Sequence, residues 1–147
     1  MDYKLEKAKK EHLSLLIDYK LKSILTYAGD LEKPEIEKIY HYVENKVAQQ
    51  LPRYKIVLYD NLIIGAVMVE PYLDGILLDE IYLEAPYRNK GIGTKLIQQI
   101  LSDHKIVYLW VYKLNLPAYR FYQKLGFQCL EETESRYFMK YFISNSL

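Results

Sequence analysis

Tyr87-Arg88-Asn89-Lys90-Gly91-Ile92-Gly93-Thr94 joins an apolar run, Ile76 to Leu83, to a segment in which Leu96, Ile97, Ile100 and Leu101 recur at helical spacing. Strand, glycine turn and helix in that order build an anion site out of backbone alone. Glycine at 91 and 93 lets the chain turn tightly with several N–H groups pointing outward, and the helix behind them adds the positive end of its dipole. Arg88 and Lys90 bring formal charge to the same place. A diphosphate suits such a row of donors, because its oxygens accept from several backbone N–H groups at once.

Upstream of this turn, residues 2 to 7 read as a short strand. Leu13, Leu16, Ile17, Leu21, Ile24 and Leu25 then mark an amphipathic helix closed by Ala28-Gly29-Asp30. Pro34 suits the first turn of a second helix, whose stripe is Ile36, Ile39, Tyr40, Val43 and Val47. Tyr54 to Tyr59 and Leu62 to Val69 are β-rich runs separated by Asp60-Asn61, the signature of a hairpin. Asp74-Gly75 is expected to turn the chain into the strand that leads to the glycine loop. Downstream, Lys105 to Tyr112 is strand-like, which makes a βαβ unit of right-handed crossover if the two strands run parallel. Ala118, Phe121, Tyr122 and Leu125 mark a short helix ended by Gly126, and Phe127 to Leu130 with Arg136 to Phe142 form a closing antiparallel pair.

The chain has 147 residues, enough for one domain, and the expectation is a single domain over 1–147. Twenty Lys plus Arg against nineteen Asp plus Glu leave a net charge of +1, which does not favour a nucleic-acid partner. The apolar runs fall short of the roughly 20 residues that span a bilayer, and Met1-Asp2-Tyr3-Lys4-Leu5-Glu6 lacks a signal-peptide core, so a cytoplasmic protein with no membrane partner is expected. One cysteine, Cys129, excludes an internal disulfide framework, and His12, His41 and His104 lack metal-ligand spacing, so no metal is expected.

Two familiar phosphate loops do not fit. The dinucleotide fingerprint G-x-G-x-x-G needs a glycine where Leu96 stands, and it normally follows the first strand of its domain. The triphosphate loop G-x-x-x-x-G-K-[ST] fails because Gly93-Thr94-Lys95 inverts its last two residues and the upstream glycine is missing. The bland alternative is a strand-to-helix turn whose glycines serve packing.

A second segment argues against the bland reading: Asn115-Leu116-Pro117-Ala118-Tyr119-Arg120-Phe121-Tyr122-Gln123-Lys124-Leu125-Gly126-Phe127. Together with Arg88-x-x-Gly91-x-Gly93, and with a strand between, it closely resembles the GCN5-related N-acetyltransferase family. The resemblance is strong over residues 76 to 127. It implies an α/β (α+β) fold with a mixed, mainly antiparallel central sheet of about seven strands, helices on both faces, and a splay between the fourth and fifth strands. It also implies acetyl-coenzyme A as co-substrate and direct acetyl transfer to a primary amine of a small molecule or peptide. By the same likeness, the backbone from Arg88 through Asn89, Lys90, Gly91, Ile92 and Gly93 to Thr94 holds the pyrophosphate. Backbone of Ile81, Tyr82 and Leu83 pairs with the pantetheine arm, and one of those N–H groups faces the thioester oxygen, an interaction worth about 3 kcal/mol when lost. Asn115 matches an asparagine near that arm; its plainer role is capping the helix ahead of Pro117.

Tyr122 matches the tyrosine that in many members protonates the departing thiolate, although it also falls on an apolar helix stripe where a core tyrosine serves as well. Reference pKa values of about 10 and 8.5 put full transfer from an unperturbed tyrosine at about 2 kcal/mol. The amine must lose a proton to attack. The glutamate that some members carry on the strand before Asn115 is replaced here by Trp110. Asp79 and Glu80, on opposite faces of one strand, are then the candidate proton acceptors or ammonium anchors, with Glu84 a third. The alternative is a non-catalytic acyl-coenzyme A binding or sensing module.

The remaining expectations are structural. Cys129 reads as a small buried hydrophobe, and Tyr27, Tyr40 and Tyr42 as core packing unless they line an acceptor pocket. The aromatic run Tyr137 to Phe142 is expected to form a sheet edge on which a second copy pairs, giving a homodimer.

Overall fold

The computed structural model describes residues 2–143; Met1 and positions 144–147 of the expected domain lie outside the described residues. In chain order the elements are β1 (Lys4–Lys7), α1 (Leu13–Tyr27), α2 (Lys33–Gln50), β2 (Tyr54–Tyr59), β3 (Leu62–Tyr72), β4 (Gly75–Leu83), α3 (Ile92–Asp103), β5 (Ile106–Tyr112), α4 (Leu116–Leu125), β6 (Gln128–Glu132) and β7 (Arg136–Phe142). The strands form one seven-stranded sheet in the order β1-β2-β3-β4-β5-β7-β6. β4 and β5 run parallel, and their register comprises Ile76 with Val107 and Leu77 with Tyr108; β1 with β2, β2 with β3, β5 with β7 and β6 with β7 are antiparallel. This is the mixed, mainly antiparallel α/β sheet with flanking helices that the family resemblance implies.

Local chemistry explains most boundaries. Asp60 and Asn61 take φ of 51° and 65°, the doubly left-handed turn that matches strand twist in a two-residue hairpin. Pro34 lies in the first turn of α2, and the N–H of Glu32 donates to Glu35 Oε1 at 3.2 Å across the helix start. Asn115 caps α4, Pro117 enters its first turn, and Gly126 ends it at φ 107°. The turn before β4 departs from expectation, since its left-handed residue is Leu73 at φ 45°. Gly75 instead serves close approach: a Cβ there would stand 2.2 Å from the carbonyl oxygen of Ile106.

Three further expectations are corrected. β7 is not an edge, because β6 returns through a short turn and pairs along its outer side while β5 holds the inner one. The surface offered for a second copy is therefore already hydrogen-bonded within the chain. Cys129 is exposed, standing on the outermost strand rather than in the core. Tyr40 and Tyr42 are likewise exposed, at 46% and 59%, because the buried stripe of α2 runs through Val43 and Val47.

The chain divides into two compact units, Met1–Met68 with Glu80–Gly93, and Val69–Asp79 with Thr94–Leu147. The first is centred on Leu16 and Tyr19 of α1, Val43 and Val47 of α2, and Tyr54, Ile56, Ala66 and Met68 of the hairpin. Burying each such aliphatic side chain stabilises by about 1.5–3 kcal/mol. The second has an aromatic cluster of Leu77, Tyr108 and Phe138 with Tyr72, Ile106 and Trp110 against it. Among the described residues no helix is long and apolar enough to cross a membrane, and no group of three or more His, Cys, Asp or Glu side chains is placed to hold a metal ion.

Candidate active site

β4 ends at Leu83, a single 3-10 turn follows (Ala85–Tyr87), and α3 begins at Ile92. The segment between is exposed at Arg88, Asn89, Lys90 and Gly91. Two residues in it are left-handed, Asn89 at φ 60° and Gly91 at φ 87°. The first turn of α3 leaves the N–H groups of Ile92, Gly93 and Thr94 without intrahelical acceptors, while Ile92 itself is fully buried and anchors the turn. The two glycines have different causes. Gly91 has open space around it and is required by its φ, whereas Gly93 has no positive φ and a Cβ there would meet only Leu83 Cδ1, at an ordinary 3.6 Å.

Arg88 is fixed at one edge. Its Nε donates to the carbonyl oxygen of Leu83 at 2.7 Å and its guanidinium carbon lies 5.1 Å from the centroid of the Tyr82 ring. Tyr82 in turn stacks on Tyr19 of α1, with centroids 4.5 Å apart. The Tyr19 hydroxyl donates to Glu84 Oε2 at 2.5 Å, a short charge-assisted bond. Burial first, and then the adjacent Glu84 carboxylate, push the Tyr19 pKa far up, so this hydroxyl stays protonated. Glu80, 7% exposed, accepts from Tyr54 Oη at 3.5 Å. Ile81, Tyr82 and Leu83 are half-buried along β4. Tyr19 escaped the sequence reading; its signal was the three-residue step from Leu16 along the apolar stripe.

In the second unit, Tyr122 is 8% exposed on α4, with Phe121 and Phe127 ring centroids 5.6 and 5.4 Å away. Among the described residues nothing hydrogen-bonds its hydroxyl. Burial pushes its pKa up to about 12. Asn115 Oδ1 accepts from the N–H of Ala118 at 3.4 Å, so its oxygen caps α4 and its amide nitrogen remains the group it can offer elsewhere. Trp110 packs against Phe138 at 4.5 Å, with the Arg136 guanidinium 4.5 Å over its ring. It has no proton to exchange. Asp79 is half-buried on β4, on the strand face opposite Glu80.

The chain is similar to known proteins in sequence and in fold. A sequence model described as the acetyltransferase (GNAT) family matches residues 19–127 and runs through both compact units. Among curated relatives, N-alpha-acetyltransferase 50 of Danio rerio is 39% identical over 59 residues, 36% of this chain and 35% of that protein. The spermine/spermidine N(1)-acetyltransferase of Bacillus subtilis is 32% identical over 57 residues, 35% of this chain and 38% of that protein. The chain thus aligns with only about a third of the length of these relatives. Among solved structures, the PaiA N-acetyltransferase of Thermoplasma acidophilum, crystallised with coenzyme A, superposes with a TM-score of 0.77 at 23% identity, covering 97% of this chain and 100% of that one. With well over half its length matched by the family model, this chain belongs to the acetyltransferase (GNAT) family.

Proposed function

We propose that this protein moves the acetyl group of acetyl-coenzyme A directly to a primary amine of a small molecule or peptide. The observation that carries this reading is glycine at position 93. In a helix glycine is worse than alanine by up to about 1 kcal/mol, and neither φ nor neighbouring atoms demand it here. A ligand pressed against the backbone does demand it. The exposed loop, the N–H groups at the head of α3 and the free edge of Arg88 make that ligand an anion. One curated relative is named for an N-alpha amine and the other for spermine and spermidine.

Acetyl-coenzyme A, when bound, supplies a thioester carbonyl open to attack by an amine and a thiolate as leaving group. The chain's own residues then have distinct tasks. Asn89, Lys90, Gly91, Ile92, Gly93 and Thr94 hold the diphosphate through backbone N–H groups, and Arg88, whose own N–H donates to the Ala85 carbonyl at 3.2 Å, offers its guanidinium. The backbone of Ile81, Tyr82 and Leu83 aligns the arm, with one N–H available to the carbonyl oxygen. Asn115 offers its amide nitrogen to the same arm. Tyr122 donates a hydrogen bond to the sulfur as charge develops there. With its pKa at about 12 against about 8.5 for a thiol, complete proton transfer would cost about 5 kcal/mol. Tyr122 therefore acts as a neutral donor that stabilises the thiolate, and the proton the thiol finally keeps comes from solvent or the amine. Asp79 or Glu80 takes up or relays the proton released by the amine.

Free-thiol release from acetyl-coenzyme A, measured with a panel of primary amines, tests the proposal. The expected result is thiol release matched one to one by acetylated amine. Binding of acetyl-coenzyme A without turnover on any amine would instead support a non-catalytic acyl-coenzyme A binding module.

A further inference from the structure

We infer that Tyr19 is a positioning residue for the coenzyme loop: by holding Glu84 it keeps Arg88 available to the phosphates. The inference rests on the acetyltransferase reading above. Glu84 and Arg88 are four residues apart at the two ends of one 3-10 turn, and a half-buried carboxylate beside an arginine normally forms an ion pair. Here it does not. Arg88 sends Nε to the Leu83 carbonyl and lays its plane near the Tyr82 ring, while Glu84 Oε2 takes the Tyr19 hydroxyl at 2.5 Å. Among the described residues Glu84 makes no contact ion pair, since Lys22, whose ammonium feels its charge, pairs with Asp18 at 2.9 Å, and the Nη groups of Arg88 have no acceptor.

The arrangement follows from where Tyr19 sits. It is 2% exposed in the first core, where a buried tyrosine needs an acceptor for its hydroxyl, and that acceptor lies 65 residues away at the exit of β4. Its ring also stacks on Tyr82, the ring beside the Arg88 guanidinium. One side chain of α1 thus restrains both groups that govern Arg88: the carboxylate that would neutralise it and the aromatic face that orients it. Take the hydroxyl away and Glu84 is free to turn toward Arg88 and compete with the diphosphate.

The test is calorimetric titration of coenzyme A into wild type, Tyr19→Phe, Glu84→Gln and the double variant, each first shown to be folded by its unfolding transition. Tyr19→Phe is expected to bind coenzyme A about tenfold more weakly, the size of one charge-assisted contact. The double variant should return to near wild-type affinity, because the competing charge is gone. Acetylpantetheine, which lacks the diphosphate, should bind all four proteins alike. Coenzyme A affinity unchanged in Tyr19→Phe, a double variant as weak as the single one, or a parallel loss for acetylpantetheine would each overturn the inference. If Tyr19→Phe does not fold, Glu84→Gln decides alone: equal or tighter coenzyme A binding agrees with the inference, and weaker binding contradicts it. Folded wild-type protein that takes up no coenzyme A would sink the acetyltransferase reading itself.

Discussion

Two buried tyrosines, Tyr19 of α1 at 2% exposure and Tyr122 of α4 at 8%, have hydroxyls in opposite situations. Tyr19 donates to Glu84 at 2.5 Å and is spent on the fold. The Tyr122 hydroxyl has no hydrogen-bond partner among the described residues, and burial raises its pKa to about 12. The Tyr122 oxygen is not among the fully sealed, unpaired atoms of the described residues, so it keeps contact with solvent and is open to a group that arrives later. Burial alone does not separate the two tyrosines. The partner does.

The comparison is broken or sharpened first by pH. Because its folded pKa lies above the unfolded value of about 10, Tyr122 contributes stability that is complete below pH 10 and is lost as pH climbs through about 12. The loss is on the order of 3 kcal/mol, and the alkaline stability curve of Tyr122→Phe should lack that component. Next comes turnover: Tyr122→Phe should lower kcat about a hundredfold with coenzyme A affinity nearly unchanged, as expected for a donor that acts as charge forms. Denaturant unfolding then separates the pair at neutral pH. Tyr19→Phe should lose about 2 kcal/mol, the worth of a hydrogen bond to a charged group, while Tyr122→Phe should be neutral or slightly stabilised. The smallest effects belong to the glycines. Gly91→Ala should cost about 1–2 kcal/mol of stability because of its φ of 87°. Gly93→Ala should be neutral or gain up to about 1 kcal/mol while weakening coenzyme A binding.

What could be read from the chain before its structure follows physical range. The glycine loop, the Asp60-Asn61 hairpin and the caps of α4 are local chemistry, set by residues a few positions apart. The place of β7 was not legible, because whether a strand lies inside a sheet or at its rim depends on another segment's return, and β6 supplies that cover. Cys129 misled for the same reason: its residue type favours burial, but its strand is the outermost. The apolar stripe marks Tyr19 as a core residue, but its role was not legible because its hydroxyl partner is 65 residues away. The acceptor side was least legible of all, since Trp110 stands where some relatives have a glutamate and no motif marks Asp79 or Glu80 as its replacement.

The central claim is that backbone N–H groups at the head of α3 grip the diphosphate of coenzyme A. Amide spectra of 15N-labelled protein titrated with coenzyme A address it directly. The amides of Gly91, Ile92, Gly93 and Thr94 should show the largest shifts and saturate together; binding that leaves these four unmoved, or no binding by folded protein, would contradict the claim.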